Sequence, residues 1–161
     1  MQVIGEKKLF LLAKGFSKEN REWHWHLLGP WCVFNSHKDN FAIALEDHLE
    51  GKSYICLFKR KPKKQAKTLA DMVYGKGFLA KVGEGKHNPR FNAILKRAKE
   101  LSSMGVEWHH HHLLPECIFN KKRGKNCIIV EDPVMNKILI AVYNGNPMKD
   151  LTKLERLFYA Q

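Results

Sequence analysis

A chain of 161 residues is long enough for one compact domain with a substantial core, but short for two independent domains. Its hydrophobic content of 44% and aromatic content of 11% exclude a disordered protein, and the absence of any run of 18 apolar residues excludes a membrane span. The net charge of +12 is shared by both halves, at +6 each, so it indicates a folded domain that meets a polyanion, most often nucleic acid.

The first predicted element is a helix over residues 6–17, where apolar side chains recur at helical spacing opposite a basic face. Residues 91–102 carry the same stripe, begin just after Pro89 and are followed by Gly105, which favours a second helix ending there. The start of the chain has no uncharged run long enough for a signal peptide, so we expect a cytoplasmic protein.

The next stretch, residues 22–35, occurs twice in the chain. It aligns without a gap on residues 107–120, at an offset of 85 residues, and nine of its fourteen positions are identical. Chance would match roughly one position in sixteen. The retained positions are Glu22, Trp23, His24, His26, Leu28, Pro30, Cys32, Phe34 and Asn35. The sequence therefore predicts an internal tandem duplication.

The matches in this stretch fall mostly on alternate positions. Alternation is typical of an extended strand, whose side chains point to opposite faces, whereas a helix would retain positions three and four apart. We therefore predict a strand that is bent or broken near Pro30 and Pro115. One face, which carries Glu22, His24, His26, Leu28, Cys32 and Phe34, is unchanged between the copies.

Two further strands and a helix follow in each copy. Residues 41–47 and 52–58 resemble a hairpin with a half-buried face, as do residues 126–132 and 137–143. The last element of each copy begins at a proline, which is favourable in the first turn of a helix: Pro62 to Tyr74, and Pro147 to Tyr159.

The fold class predicted from these elements is α+β with a largely antiparallel sheet. Repeat 1 covers residues 6–76 and repeat 2 covers residues 91–161, each a helix, three or four strands and a helix. Residues 77–90 form a Gly- and Lys-rich connector. We expect the two repeats to pack as one compact pseudo-symmetric domain over residues 1–161.

The retained histidines are the strongest candidates for chemistry. His24 and His26, like His109 and His111, are two apart on a strand and so point the same way. Imidazole, thiolate and carboxylate all bind zinc, so a transition metal such as Zn²⁺ is a candidate cofactor. The candidate ligands are His24, His26, Cys32, His109, His111, Cys117, Glu22 and Glu107. The alternative is that these histidines are satisfied, partly buried polar residues.

Basic segments supply the candidate contacts to DNA or RNA. Six of nine residues in 59–67 are basic and lie where a strand meets a helix, and residues 121–125 form a basic loop tip. The lysines of residues 76–86 and two exposed-face tryptophans complete the set. The named residues are Lys59, Arg60, Lys61, Lys63, Lys64, Lys67, Lys121, Lys122, Arg123, Lys125, Trp25 and Trp31.

Three functions remain open from the sequence. The first is a nucleic-acid-binding protein on a duplicated scaffold. The second is a phosphodiesterase or nuclease that uses His24, His26, His109 and His111, either as acid and base or around a metal. The third is a structural component of a nucleoprotein assembly, in which the histidines only pack. Four cysteines without a CxxC pair indicate buried thiols rather than a disulfide framework.

Overall fold

The computed structural model describes residues 1–75 and 87–160, with the exception of a few side chains at helix ends. The lysines of residues 76–86, and with them most of the predicted connector 77–90, lie outside the described residues. The chain divides into two compact units, Met1–Phe78 (unit 1) and Leu79–Gln161 (unit 2). No helix among the described residues is both long enough and apolar enough to cross a lipid bilayer.

Unit 1 is a four-stranded sheet with two helices. In chain order its elements are β1 (Gln2–Ile4), α1 (Glu6–Lys18), β2 (Trp23–Leu28), β3 (Phe41–Asp47), β4 (Lys52–Phe58) and α2 (Lys63–Gly75). The strand order is β1-β4-β3-β2. β1 is parallel to β4 and the other pairs are antiparallel.

Unit 2 repeats this arrangement with one strand fewer. Its elements are α3 (Arg90–Ser103), β5 (His109–Leu113), β6 (Asn126–Asp132), β7 (Lys137–Tyr143) and α4 (Met148–Ala160). The sheet is antiparallel in the order β5-β6-β7, so that within the described chain no strand lies on the outer side of β7. The predicted α+β class, with a helix, antiparallel strands and a helix in each repeat, is confirmed.

Helical periodicity explains how the first helix of each unit packs. α1 buries Leu9, Ala13 and Phe16, which recur every three or four residues along one face. α3 buries a stripe of the same kind and contacts β6, β7 and α4. The middle strand β6 is buried along its whole length, which accounts for its near-continuous apolar run.

The retained stretch is a strand for only its first half. β2 ends at Leu28 and β5 ends at Leu113, in each case two residues before the proline. The predicted break of the strand near Pro30 and Pro115 is therefore confirmed. Cys32 and Phe34 therefore lie in a loop beyond the strand. The prediction of one strand face running from Glu22 to Phe34 is wrong in that part, because the chain turns there.

A buried asparagine holds this loop in both copies. The side-chain amide of Asn35 donates to the carbonyl oxygens of Gly29 and Asn40, both at 2.8 Å, and its Oδ1 accepts the backbone N–H of His37 at 2.8 Å. Asn120 makes the same three bonds in unit 2, at 2.7–2.8 Å. This loop closure explains why an asparagine is retained outside the alternating pattern.

Candidate metal centres

Strand register brings a carboxylate beside each pair of histidines. In unit 1, His24 of β2 lies directly opposite Glu46 of β3, and His26 lies two residues further along β2. Residues that are directly opposite in an antiparallel pair share one face of the sheet. Glu46 therefore projects on the same face as both imidazoles.

The three side chains form what we call cluster 1: His24, His26 and Glu46. The Nε2 atoms of the two histidines are 2.9 Å apart. They lie 2.8 Å and 3.0 Å from the same carboxylate oxygen, Oε2 of Glu46. All three side chains are buried, with residue exposures of 5%, 2% and 4%. Three potential ligand atoms thus converge on one point in the protein interior.

Unit 2 contains the matching group, cluster 2: His109, His111 and Glu131. His109 lies opposite Glu131 in the register of β5 and β6. Both imidazole Nε2 atoms contact Oε2 of Glu131, with 2.8 Å for His111. The two rings of each cluster have the same mutual arrangement, since their centroids are 4.7 Å apart and their planes cross at 85° in cluster 1 and 80° in cluster 2.

These two buried groups of histidine and glutamate could each hold a metal ion, because their ligand atoms lie within 4.8 Å of one another. Two imidazoles and one carboxylate form a donor set that zinc accepts. A tetrahedral zinc site with bonds of about 2.0 Å has its ligand atoms about 3.3 Å apart. The observed separations therefore require only a small outward movement to admit an ion.

The electrostatics of the clusters favour metal-binding protonation states. Burial lowers the pKa of His24 to about 3, so its imidazole is neutral and has a lone pair to donate. Burial alone would raise the carboxyl pKa of Glu46 and of Glu131. Hydrogen bonds from the paired imidazoles outweigh burial and hold both pKa values far below the ordinary range, so both carboxylates are ionised.

A further histidine supports cluster 1 from behind. His48 hydrogen-bonds through Nε2 to Nδ1 of His24, and the two rings stack with centroids 4.6 Å apart. A metal on Nε2 leaves the proton of His24 on Nδ1, where it can be donated to His48. Pro133 occupies the corresponding position of unit 2, so this support belongs to unit 1 alone.

Of the metal ligands predicted from the sequence, the histidines lie in the clusters and the two glutamates do not. The four retained histidines come together in pairs, as the alternating pattern indicates. Glu22 and Glu107 are exposed and lie outside both clusters, and the carboxylates come instead from the neighbouring strands. Glu46 and Glu131 were missed by the sequence analysis, although each precedes an aspartate at the end of matching strands.

The two predicted cysteine ligands are buried in the matching loops. The Sγ of Cys32 accepts a hydrogen bond from the backbone N–H of Phe34 at 3.4 Å, and Cys117 accepts one from Phe119 at 3.4 Å. Donors at sulfur stabilise the thiolate, which is the form that binds metals. Both residues remain candidate ligands.

The other histidines of β5 have packing roles. His110 donates to Glu155 of α4 at 2.9 Å and lies edge-on to Phe158. His112 lies 3.1 Å from the side-chain oxygen of Asn126. The second histidine-rich face of unit 2 thus joins β5 to α4 and β6.

The predicted nucleic-acid contacts are at the surface where they are described. Residues 121–125 are exposed, and most of the basic side chains of residues 59–67 are exposed. Trp31 is 42% exposed, and Trp25 is less exposed, since it is half-buried. Two of the loop cations have partners within the protein, since Lys125 contacts Asn144 and Arg123 donates to the carbonyl of Glu116 at 3.1 Å.

Comparison of the chain with protein-family models, with curated proteins and with solved structures finds no match.

Proposed function

We propose that this protein binds a transition metal, most favourably Zn²⁺, at cluster 1 and at cluster 2, and that the metal stabilises each unit. The observation that supports this is the convergence of two imidazole nitrogens and one carboxylate oxygen within 3.0 Å of one another in cluster 1. Neutral imidazole nitrogens and an ionised carboxylate are the protonation states that bind a metal ion. A bound ion satisfies all three ligand atoms at once.

The burial of the clusters supports a structural role for the metal. Structural zinc sites are closed, whereas catalytic sites keep a position open for water or substrate. Each of the four histidines is 5% exposed or less, so a phosphodiester has little access to an imidazole nitrogen. A tetrahedral site needs a fourth ligand besides His, His and Glu, and Cys32 and Cys117 are the candidate thiolates.

The test is the metal content of protein purified without a tag and dialysed free of loosely bound ions. We expect about two equivalents of zinc per chain. Glu46→Gln and Glu131→Gln should each remove about one equivalent, because an amide oxygen is a poorer ligand than a carboxylate.

The matched controls are Glu22→Gln and Glu107→Gln, which make the same chemical change at exposed positions of the same repeats. Both should retain two equivalents. A metal-free wild-type protein that stays metal-free after incubation with zinc and dialysis would rule out the proposal. Equal loss in Glu22→Gln and Glu46→Gln would rule out the assigned ligands.

A second candidate function, binding to DNA or RNA, is supported by the charge at the start of α2. The first turn of this helix contains Lys63 and Lys64 and no acidic residue, and Lys59, Arg60 and Lys61 precede it. The N-terminus of a helix carries partial positive charge, so it favours phosphate together with these side chains. The counterpart in unit 2 has Asp150 in its first turn, so this feature is specific to unit 1.

Fluorescence anisotropy with single-stranded DNA and RNA oligonucleotides tests this function. We expect affinity to fall steeply between about 50 and 500 mM salt, and the double variant Lys63→Gln/Lys64→Gln to reduce the slope of log K against log salt by about 2. Lys7→Gln/Lys8→Gln on α1 makes the same change in net charge and should leave the slope nearly unchanged. Binding that is insensitive to salt would exclude phosphate contacts as its basis.

A further inference from the structure

Unit 2 contains a cavity that lies apart from the residues of cluster 2. Its volume is about 220 Å³, and it is formed where the segment before α3 meets the end of β7 and the first turns of α4. Pockets for drug-sized ligands have volumes of roughly 300–1,000 Å³, so this cavity suits a smaller group. The residues of interest in its wall are His87, Tyr143, Lys149, Asp150 and Lys153.

A buried carboxylate orients the histidine of this cavity. Nδ1 of His87 lies 3.0 Å from both carboxylate oxygens of Asp150, whose side chain is 4% exposed. The hydroxyl of Tyr143 donates to Oδ2 of the same carboxylate at 2.7 Å. Because Nδ1 is engaged with Asp150, the ring orientation is fixed and Nε2 is the nitrogen left for a ligand.

The neighbouring backbone anchors His87 in this position. The side-chain amide of Asn88 donates to the carbonyl of Val142 in β7 at 2.8 Å, and the ring of His87 lies edge-on to Phe91 of α3 with centroids 6.4 Å apart. The imidazole is nevertheless about half exposed, at 47%. It is therefore held from one side and accessible from the other.

Positive charge surrounds the opening of the cavity. Lys149 and Lys153 are four residues apart, so they lie on one face of α4, and both are exposed. They are in the first two turns, where the helix N-terminus adds partial positive charge. Asp150 offsets part of this charge but is already bonded to His87 and Tyr143. The accessible groups thus favour an anion.

The first repeat lacks this constellation at the equivalent positions. At the offset of 85 residues, His87, Tyr143 and Asp150 correspond to Gln2, Phe58 and Gln65, and Lys153 corresponds to Thr68. Lys149 alone has a basic counterpart, Lys64. His87, Asp150 and Lys153 therefore occur in unit 2 only, and the fold that both units share does not need them.

We propose that this cavity binds the terminal phosphate of a small phosphate ester, with Nε2 of His87 and the ammonium groups of Lys149 and Lys153 as its contacts, and with Asp150 and Tyr143 as the residues that orient His87. A phosphate dianion satisfies several donors at once and fits the available volume, whereas the rest of the ester extends to solvent. The proposal is independent of the metal at the two clusters.

The experiment is a titration of the 161-residue chain with phenyl phosphate at constant ionic strength, followed through the imidazole NMR signals of His87. We expect a saturable shift of these signals. The double variant Lys149→Gln/Lys153→Gln should weaken binding at least about tenfold, since two charge-assisted contacts are lost. His87→Gln should also weaken it, as detected by calorimetry.

The matched control is the double variant Lys7→Gln/Lys8→Gln on α1, which makes the same change in net charge at exposed positions of unit 1 and should leave the affinity unchanged. Both Lys149 and Lys153 are exposed, so their replacement is expected to preserve the fold, and melting temperature checks this. A titration with inorganic phosphate tells whether the phosphate group alone is sufficient. A linear response without saturation, or equal affinity in the wild type and the double lysine variant, would overturn the proposal.

Discussion

At the scale of single residues, the protonation of the buried histidines decides how the protein responds to acid. His24 is neutral when folded because burial opposes its charged form, and its neighbours are His26, Glu46 and His48. In the unfolded chain the same imidazole titrates near its ordinary pKa of 6.5. Between these two pKa values the unfolded chain holds a proton that the folded chain does not, so acid favours unfolding.

We therefore predict that the free energy of unfolding decreases as the pH falls from about 6.5 toward the folded pKa of about 3. One proton taken up on unfolding corresponds to a slope of at most about 1.4 kcal/mol per pH unit. The lowered pKa of Glu46 adds to the loss below 4.5, and proton competition with a bound metal acts in the same direction.

Urea unfolding at several pH values between about 7.5 and 5 measures this slope. His24→Gln should make the slope shallower, because the substituted side chain does not titrate. His37→Gln, in the loop of the same unit, is the control and should leave the slope unchanged. A wild-type stability that is flat over this range would contradict the assignment of a neutral buried His24.

At the scale of elements, the two repeats pair an equivalent buried aspartate with arginines from different elements. Asp47 and Asp132, at equivalent strand ends, are both buried, and each pairs with a guanidinium at 2.7 Å. In unit 1 the partner is Arg21, just before β2, whereas in unit 2 it is Arg97 of α3. The buried carboxylate is retained, and the cation comes from whichever element is within reach.

We predict that Arg97→Met destabilises the protein, and by more than the same change at an exposed arginine does. The change leaves the carboxylate of Asp132, whose side chain is fully buried, without its cation, and an uncompensated buried charge is costly. Backbone N–H groups of Val134 and Met135 still donate to Asp132, which limits the loss. Arg90→Met, at the exposed start of α3, should change stability by less than about 0.5 kcal/mol.

Chemical denaturation of both variants gives the comparison. Equal stability of Arg97→Met and Arg90→Met would mean that the pair of Arg97 and Asp132 contributes nothing net.

The elements themselves were largely predictable, because they depend on local pattern. The alternation in residues 23–28 and the helical stripe of residues 6–17 each match an observed element closely. The carboxylate of cluster 1 was not predictable in the same way. It depends on the register of β2 and β3, and twelve residues, 29–40, separate these strands. The local sequence favours Glu22, two residues from His24, but only the pairing of strands brings Glu46 opposite His24.

The loop residues show the same limit. Cys32 and Phe34 continue the alternating pattern of β2, so periodicity alone extends the strand to them. The hydrogen bonds of Asn35 that turn the chain are made to residues five and six positions away, and no periodicity reports such contacts.

At the scale of the whole molecule, one metal in each unit makes stability depend on metal concentration. A site that is occupied at 1,000 times its Kd contributes about 4 kcal/mol. For a chain of 161 residues, 1 kcal/mol corresponds to a change in Tm of about 2–4 °C. A strong chelator empties both sites, so we predict that it lowers Tm by about 15–30 °C.

Thermal unfolding followed by circular dichroism, with and without chelator, measures this change. Addition of Zn²⁺ should restore Tm, and Mg²⁺ should not, because Mg²⁺ prefers oxygen ligands in an octahedral arrangement. Glu46→Gln and Glu131→Gln should each show a smaller response to chelator than the wild type. An unchanged Tm in chelator, together with a measured loss of metal, would contradict a stabilising role.

The unequal sheets of the two units have a consequence for behaviour in concentrated solution. β1 covers the outer edge of β4, whereas the corresponding side of β7 has no strand beside it within the described chain. An extended segment of another molecule can pair with the backbone N–H and C=O groups along such an edge strand. Lys137 at the start of β7 is a charge that opposes this pairing. The side of β7 is therefore a place where such a segment can add, and an extra strand grafted along β7 is the change that would block it.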